Sequence, residues 1–243
     1  MVNVRLSERD VRVVSKCAVS KWLTTGQLAR LYFQKVTPDA VRKSLRRLVE
    51  AGYLVVHREH QMAEALHGLG PKGKVLLEAK GLAAEVTRTP PRQIEHMVGI
   101  NDLRVAVEVS STQVAYFFAS WELPGLGWVH PVIPDAVVGL RLPERRTFLV
   151  EYDRGTETLP TLVGKLRGYE GGLTGIPFRA LLLVTDTASR LETLARHVRK
   201  EGFLRRILGC VRADLSAEGI DAALFMDLRL VHPEKTTLRE SAE

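Results

Sequence analysis

Between Thr37 and Gly52 the sequence specifies one helix with two opposed faces. Thr37 is placed to cap it, Pro38 occupies its first helical position and Asp39 lies in its first turn. Val41, Leu45, Leu48 and Val49 recur on one side, and Arg42, Lys43, Arg46 and Arg47 on the other. Gly52 ends the run. Such a helix needs a small core to dock against, and its neighbours supply one. Ser7, followed by Glu8 and Asp10, opens an earlier helix with apolar positions Val11, Val14, Ala18 and Trp22. Thr24-Thr25-Gly26 breaks that pattern, a short helix with Leu28, Leu31 and Tyr32 follows, and Gln34 to Thr37 form a turn. After Gly52 the pattern predicts a strand over 53–56, a hairpin partner over 64–69 and a further helix over 71–80. Three helices and a two-stranded hairpin fit a winged helix-turn-helix over 1–85.

Charge points to the partner of that domain. Residues 1–58 carry 12 Lys and Arg against 4 Asp and Glu, a net of +8, whereas the rest of the chain comes to −1. A generally basic surface would spread the excess evenly, so the concentration is the footprint of a polyanion. In a winged helix the helix over 38–51 enters the major groove. Arg42, Lys43, Ser44, Arg46 and Arg47 then face double-stranded DNA, with Arg58 and His57 of the wing at the backbone. The competing reading is a solvated face of a protein-binding domain, but such faces mix signs and no acid interrupts Lys43 to Arg47.

Val86-Thr87-Arg88-Thr89-Pro90-Pro91 reads as a stiff linker, which puts a domain boundary near residue 90 and a second domain over 91–232. There the pattern predicts a helix over 92–109, strands over 114–121, 132–140 and 147–153, a helix over 158–170, a strand over 179–185, a helix over 188–201 and a late strand over 222–230. The whole is α+β, its second part an α/β layer. The polar tail over 233–243 is expected to be disordered. No window approaches the ~18 apolar residues of a membrane span, and the charged start lacks a signal peptide, so a cytoplasmic protein with no membrane partner is expected. Cys17 and Cys210 stand alone and suggest buried side chains, not a zinc site or a disulfide.

The second domain holds a set of acids. Pro134-Asp135 lies in the predicted strand over 132–140, and Glu151-Tyr152-Asp153 ends the next. Residues two apart on a strand share a face, so Glu151 and Asp153 point together. A hairpin brings Asp135 alongside them. Converging carboxylates repel unless a cation sits between them, and Mg²⁺ suits oxygen ligands. Asp135, Glu151 and Glu122 are the candidate metal ligands. Asp135, Glu151, Asp153 and Lys165 are the candidate catalytic residues, with Tyr169 on the same helix face as Lys165. The alternative is a structural network in which Asp135 caps a turn, Asp153 shapes the strand-to-helix turn and Glu151 pairs with Lys165.

The order Pro-Asp, then Glu-x-(third residue) on the adjacent strand, resembles the PD-(D/E)XK nuclease-like fold, as does the order helix, three strands, helix, strand. Where that fold has lysine this chain has Asp153, and Lys165 is a possible substitute. Over about residues 8–185 the chain also resembles the replication-relaxation family of plasmid and mobile-element proteins. The matching positions are His96-x-x-x-x-Asn101-Asp102-x-Arg104, Trp121-Glu122, Pro134-Asp135-Ala136, Glu151 through Glu157, Lys165 and Tyr169. Asn101 and Asp102 are expected to hold their helix against the carboxylate-bearing sheet. The resemblance implies a DNA-binding role in plasmid replication or relaxation, alongside replication or transfer proteins, with a nuclease-like domain that has lost its usual lysine. A homodimer on paired half-sites follows from the helix-turn-helix reading. Two alternatives stand beside it: a metal-dependent DNA endonuclease targeted by the winged helix, and a transcription regulator with a ligand-sensing domain.

Overall fold

A computed structural model describes residues 5–61, 63–110, 114–142, 144–171, 176–220, 222–238 and 240, except for the side chains of residues 110 and 142. It is mixed α+β, and the chain divides into two compact units, Met1–Asn101 and Asp102–Glu243. Among the described residues no helix is long and apolar enough to cross a membrane.

The first unit is built from α1 (Glu8–Ser20), β1 (Leu23–Thr24), α2 (Thr25–Tyr32), α3 (Pro38–Glu50), β2 (Leu54–His57), β3 (Leu66–Leu69) and α4 (Pro71–Glu78). Its helix starts follow from side-chain chemistry. Ser7 and Asp10 satisfy each other's backbone N–H groups at the start of α1, and Thr24 and Gln27 do the same for α2. Thr37 caps α3 through the N–H of Ala40. The segment Thr24-Thr25-Gly26, read as a break, is therefore also a helix cap. β1, which the sequence pattern does not predict, pairs with β3, and β3 pairs with β2, giving an antiparallel order β1-β3-β2. The apolar face of α3 closes the core: Val41, Leu45 and Leu48 are buried with Val13, Val14, Cys17, Leu28, Leu54 and Leu69. Each fully buried leucine contributes roughly 1.5–3 kcal/mol. The close seat of α4 depends on Gly73, where a Cβ would lie 2.3 Å from the carbonyl oxygen of Tyr53.

The division between the units falls at residues 101 and 102, within α5 (Ile94–Ser110), and not at Pro90-Pro91. The expected linker is stitched to the first unit. The N–H of Thr87 donates to the carbonyl of Leu69 at 3.0 Å, and its hydroxyl accepts from the N–H of Leu69 at 3.0 Å. Further along, Gln27 Nε2 donates to the carbonyl of Val98 at 2.9 Å.

In the second unit the chain continues through β4 (Val114–Ala119), β5 (Ala136–Leu142), β6 (Glu144–Asp153), α6 (Leu159–Glu170), β7 (Ala180–Thr185), α7 (Ala188–Glu201), β8 (Ile207–Val211), α8 (Arg212–Glu218), β9 (Phe225–Asp227) and β10 (Lys235–Thr236). One sheet runs β10-β9-β8-β7-β6-β5-β4. β4, β5 and β6 form an antiparallel meander; β6, β7 and β8 are parallel, with α6 and α7 as crossovers. Leu149 of β6 and Leu181 and Leu183 of β7 pack beneath Leu162, Leu166 and Tyr169 of α6 and Leu191 and Leu194 of α7. The disordered tail expected over 233–243 is corrected in its described part. Lys235 and Thr236 pair with Met226 and Phe225, and Leu238 is buried. Residues 239 and 241–243 lie outside the described residues. Cys17 and Cys210 are both free and buried, as expected.

Candidate functional site

Each unit carries one candidate site. In the first, the solvent side of α3 presents Lys43, Ser44, Arg46 and Arg47 on a shallow surface. Between α3 and the β2–β3 hairpin runs a groove with Arg42, Arg46 and Arg58 on its walls and Leu45, Val49 and Val56 beneath them. Arg46 lines both surfaces. Thr25 and His67 close the groove, with Thr25 Oγ1 and His67 Nε2 3.1 Å apart. Burial, helped by the charge of Arg58, pulls His67 down to about 4, so this imidazole is neutral and the positive charge here belongs to the arginines.

The basic residues of this face are not equivalent. Arg47 donates to Asp10 Oδ2 at 2.7 Å, and Asp10 is almost fully buried in α1. Burial raises the proton affinity of Asp10, but the hydrogen bonds from Arg47 and Ser7 outweigh it and hold the carboxyl below the usual range. Arg47 is thus a fixture of α1 against α3, with 38% of its side chain exposed. Arg42 is paired with Asp39, and Arg58 donates to the carbonyl of Ala63 at 2.9 Å. Lys43 and Arg46 have no such partner among the described residues.

In the second unit β6 delivers Glu151 and Asp153 to the face beneath α6, both buried. Lys165 Nζ donates to Glu151 Oε2 at 2.5 Å, and the hydroxyl of Tyr169 donates to Oε1. Asp135, at the entry to β5, accepts the N–H of Tyr152 at 2.8 Å. Its charge reaches Glu151, Lys165 and Tyr169. The structure therefore brings together Asp135, Glu151, Lys165 and Tyr169, four of the sequence-predicted residues. Asp153 is turned elsewhere. Arg190 Nε donates to its Oδ2 at 2.6 Å and the N–H of Gly155 to its Oδ1 at 2.9 Å, so it shapes the strand-to-helix turn. Glu122, expected as a metal ligand, is the counter-ion of Arg104, whose guanidinium is buried and also lies 4.9 Å from the Phe117 ring centroid. A buried guanidinium requires that carboxylate.

Burial, together with the charge of Asp135, pushes Glu151 up to about 8, against the pull of Lys165 and Tyr169. Burial alone would lower Lys165, but Glu151 and Asp135 outweigh it and raise it. The two directions agree once the charges are counted: two carboxylates face one ammonium, and the cluster is neutral when the carboxylates hold one proton. The folded chain then binds a proton that the unfolded chain releases between about pH 4.5 and 8. Its stability should fall as pH rises through that window. Lys165 stays charged on both sides of it and adds no slope. Urea unfolding of wild type and Glu151→Gln from pH 5 to 8 checks this, with a flatter profile expected for the variant.

A divalent ion needs carboxylate oxygens left open to it. Both oxygens of Glu151 already accept hydrogen bonds, one from an ammonium, and Glu122 belongs to Arg104. Among the described residues no three His, Cys, Asp or Glu side chains gather where they could hold a metal. In this arrangement Glu151 and Glu122 are each engaged by a cation, Lys165 and Arg104, and are not turned to one shared point.

The residues around Asn101 also have defined tasks. Asn101 Nδ2 donates to the carbonyls of Ser20 and Trp22, at 3.0 and 2.8 Å, and so serves the first unit and not the carboxylate-bearing sheet. Asp102 pairs with Arg212, at 2.5 Å, and Arg212 also holds Asp186, whose Oδ1 accepts the hydroxyl of Tyr152. Sequence reading missed Arg190 and Arg212. Arg190 follows the end of β7 by five residues and Arg212 directly follows β8, and only the parallel pairing of β6, β7 and β8 makes them neighbours of Asp153 and Asp186.

These features define a mixed α+β protein with a basic helix in one unit and a buried carboxylate–lysine cluster in the other. The family described as Replication-relaxation matches residues 18–173, and the chain belongs to that family. Neither the curated proteins nor the solved structures yield a match.

Proposed function

We propose that this member of the replication-relaxation family is a duplex-DNA-binding protein of plasmid or mobile-element replication. In this reading the first unit is a winged helix-turn-helix, α3 lies in the major groove and the β2–β3 hairpin is the wing. The observation that carries it is the surface of α3, where Lys43 and Arg46 have no hydrogen-bond or ion-pair partner among the described residues, beside Arg42, Arg47 and Arg58, which do.

The second unit is read as a nuclease-like domain that holds and does not cut. The order α5-β4-β5-β6-α6-β7 and the place of Asp135, just before β5, beside Glu151 on the adjacent β6 support the nuclease-like part. The occupation of Glu151 by Lys165 and Tyr169 supports the loss of cleavage. A homodimer on paired half-sites belongs to the same proposal.

The test is incubation with supercoiled plasmid, with and without Mg²⁺ or Mn²⁺, beside an Asp135→Ala/Glu151→Ala double variant. Salt-sensitive DNA binding by both proteins and nicking by neither is the expected result. Nicking by the wild type alone would make the protein a metal-dependent endonuclease and overturn the reading of the second unit.

A further inference from the structure

The groove between α3 and the hairpin has a composition that the outer face of α3 lacks. Three guanidiniums converge on it from two elements, Arg42 and Arg46 from α3 and Arg58 from just beyond β2. Among the described residues no carboxylate lines it. Its floor is aliphatic, formed by Leu45, Val49 and Val56. Two of the three arginines have local partners, Arg42 the exposed Asp39 and Arg58 the carbonyl of Ala63. Each anchoring contact uses one terminal nitrogen and leaves further N–H groups on the guanidinium. A site with an aliphatic floor and guanidinium walls suits a group that is apolar on one side and multiply anionic on the other. A sugar carrying a phosphate is such a group, and arginine forks match phosphate oxygens.

We propose that this groove receives one backbone phosphate of duplex DNA, with the adjoining deoxyribose against Val49 and Val56. The inference rests on the reading of the first unit as DNA-binding and assigns its residues two tasks. Arg42 and Arg58 position the protein on the backbone without regard to sequence. Lys43 and Ser44, on the outer surface, are left to meet base edges, and Arg46 stands where the two surfaces join. Phosphate contacts set register and base contacts set specificity, so the two groups have different signatures.

The experiment is a salt titration of affinity for a preferred duplex and for a scrambled one, using the full chain. Three variants accompany the wild type: Arg58→Ala, Arg58→Lys and Val56→Trp. Val56 is 46% exposed, so the tryptophan fills the groove from its solvent side without entering the core. Arg58→Ala should weaken both duplexes alike, by roughly five- to tenfold, and lower the salt slope by about one. Arg58→Lys should restore the slope, and Val56→Trp should weaken both duplexes alike. An unchanged slope in Arg58→Ala with normal wild-type binding overturns the groove assignment and leaves the DNA-binding reading standing. A loss confined to the preferred duplex makes Arg58 a base reader and likewise overturns it. Failure of the wild type to bind either duplex overturns the DNA-binding reading itself. Inorganic phosphate and thymidine monophosphate, titrated at constant ionic strength without DNA, separate the two sources of phosphate. Saturable binding of either at micromolar concentration, lost in Arg58→Ala, would make the groove a site for a free phosphate ligand and overturn the proposal.

Discussion

Lys43→Glu/Arg46→Glu should lose duplex-DNA affinity by on the order of 100-fold or more at moderate salt, with thermal stability unchanged. Each substitution removes a cation that would displace a counter-ion from DNA and puts an anion in its place. Both side chains are exposed and neither has an ion-pair or hydrogen-bond partner among the described residues, so the fold does not depend on them. Arg47→Glu provides the contrast. It would set a carboxylate against the buried Asp10 and loosen α1 from α3, so its DNA-binding defect should come with a lower melting temperature. Electrophoretic shift and thermal melting on the same preparations separate the two effects. Full affinity in the double variant would remove α3 from the DNA interface.

The second large effect concerns stability. Glu122→Ala should destabilise the protein by about 3–5 kcal/mol, because it strands the guanidinium of Arg104, whose side chain is 2% exposed. It also frees the N–H of Ala119, which donates to Glu122 Oε2 at 2.8 Å. Arg104→Met in the Glu122→Gln background should recover most of that loss, since a buried pair replaced by groups of similar volume costs little. Urea unfolding followed by tryptophan fluorescence reads both. If Glu122→Ala unfolds at the wild-type midpoint, the pair is not what holds this corner of the sheet.

Much of this was legible in the sequence because short-range chemistry decided it. The start of α3 is fixed by Thr37 and Pro38, its two faces by the 3.6-residue period, and both features stand in the structure as the pattern predicts. Most of the other elements were also within a few residues of their observed ends. What the sequence concealed depends on pairing over distance. β8 is five residues with a glycine in the middle, where a Cβ would meet the side-chain ends of Leu191 and Leu228; its short apolar run carries no alternation to set it apart from other buried segments. The same holds for the candidate site. The period of two placed Glu151 and Asp153 on one face, but which cation each would meet depended on α6 and α7. Asp153 went to Arg190 and Glu151 to Lys165, so one face holds two separate ion pairs and not one metal cage. The linker was misjudged for a similar reason. Two prolines mark a stiff segment, but the hydroxyl of Thr87, read as linker, binds β3.

The parallel centre of the sheet has a consequence for how this chain can be cut into pieces. The family match ends at residue 173, whereas the strand that covers the far edge of β6 begins at Ala180 and its own neighbour at Ile207. A polypeptide trimmed to the matched segment would carry Phe148 through Asp153 with an open row of backbone donors and acceptors, and with Asp153 parted from Arg190. Exposed, largely apolar edges of that kind recruit other chains, so such a fragment is a candidate for aggregation and not a minimal domain. In this chain the matched region is shorter than the region that must be made before the sheet can close.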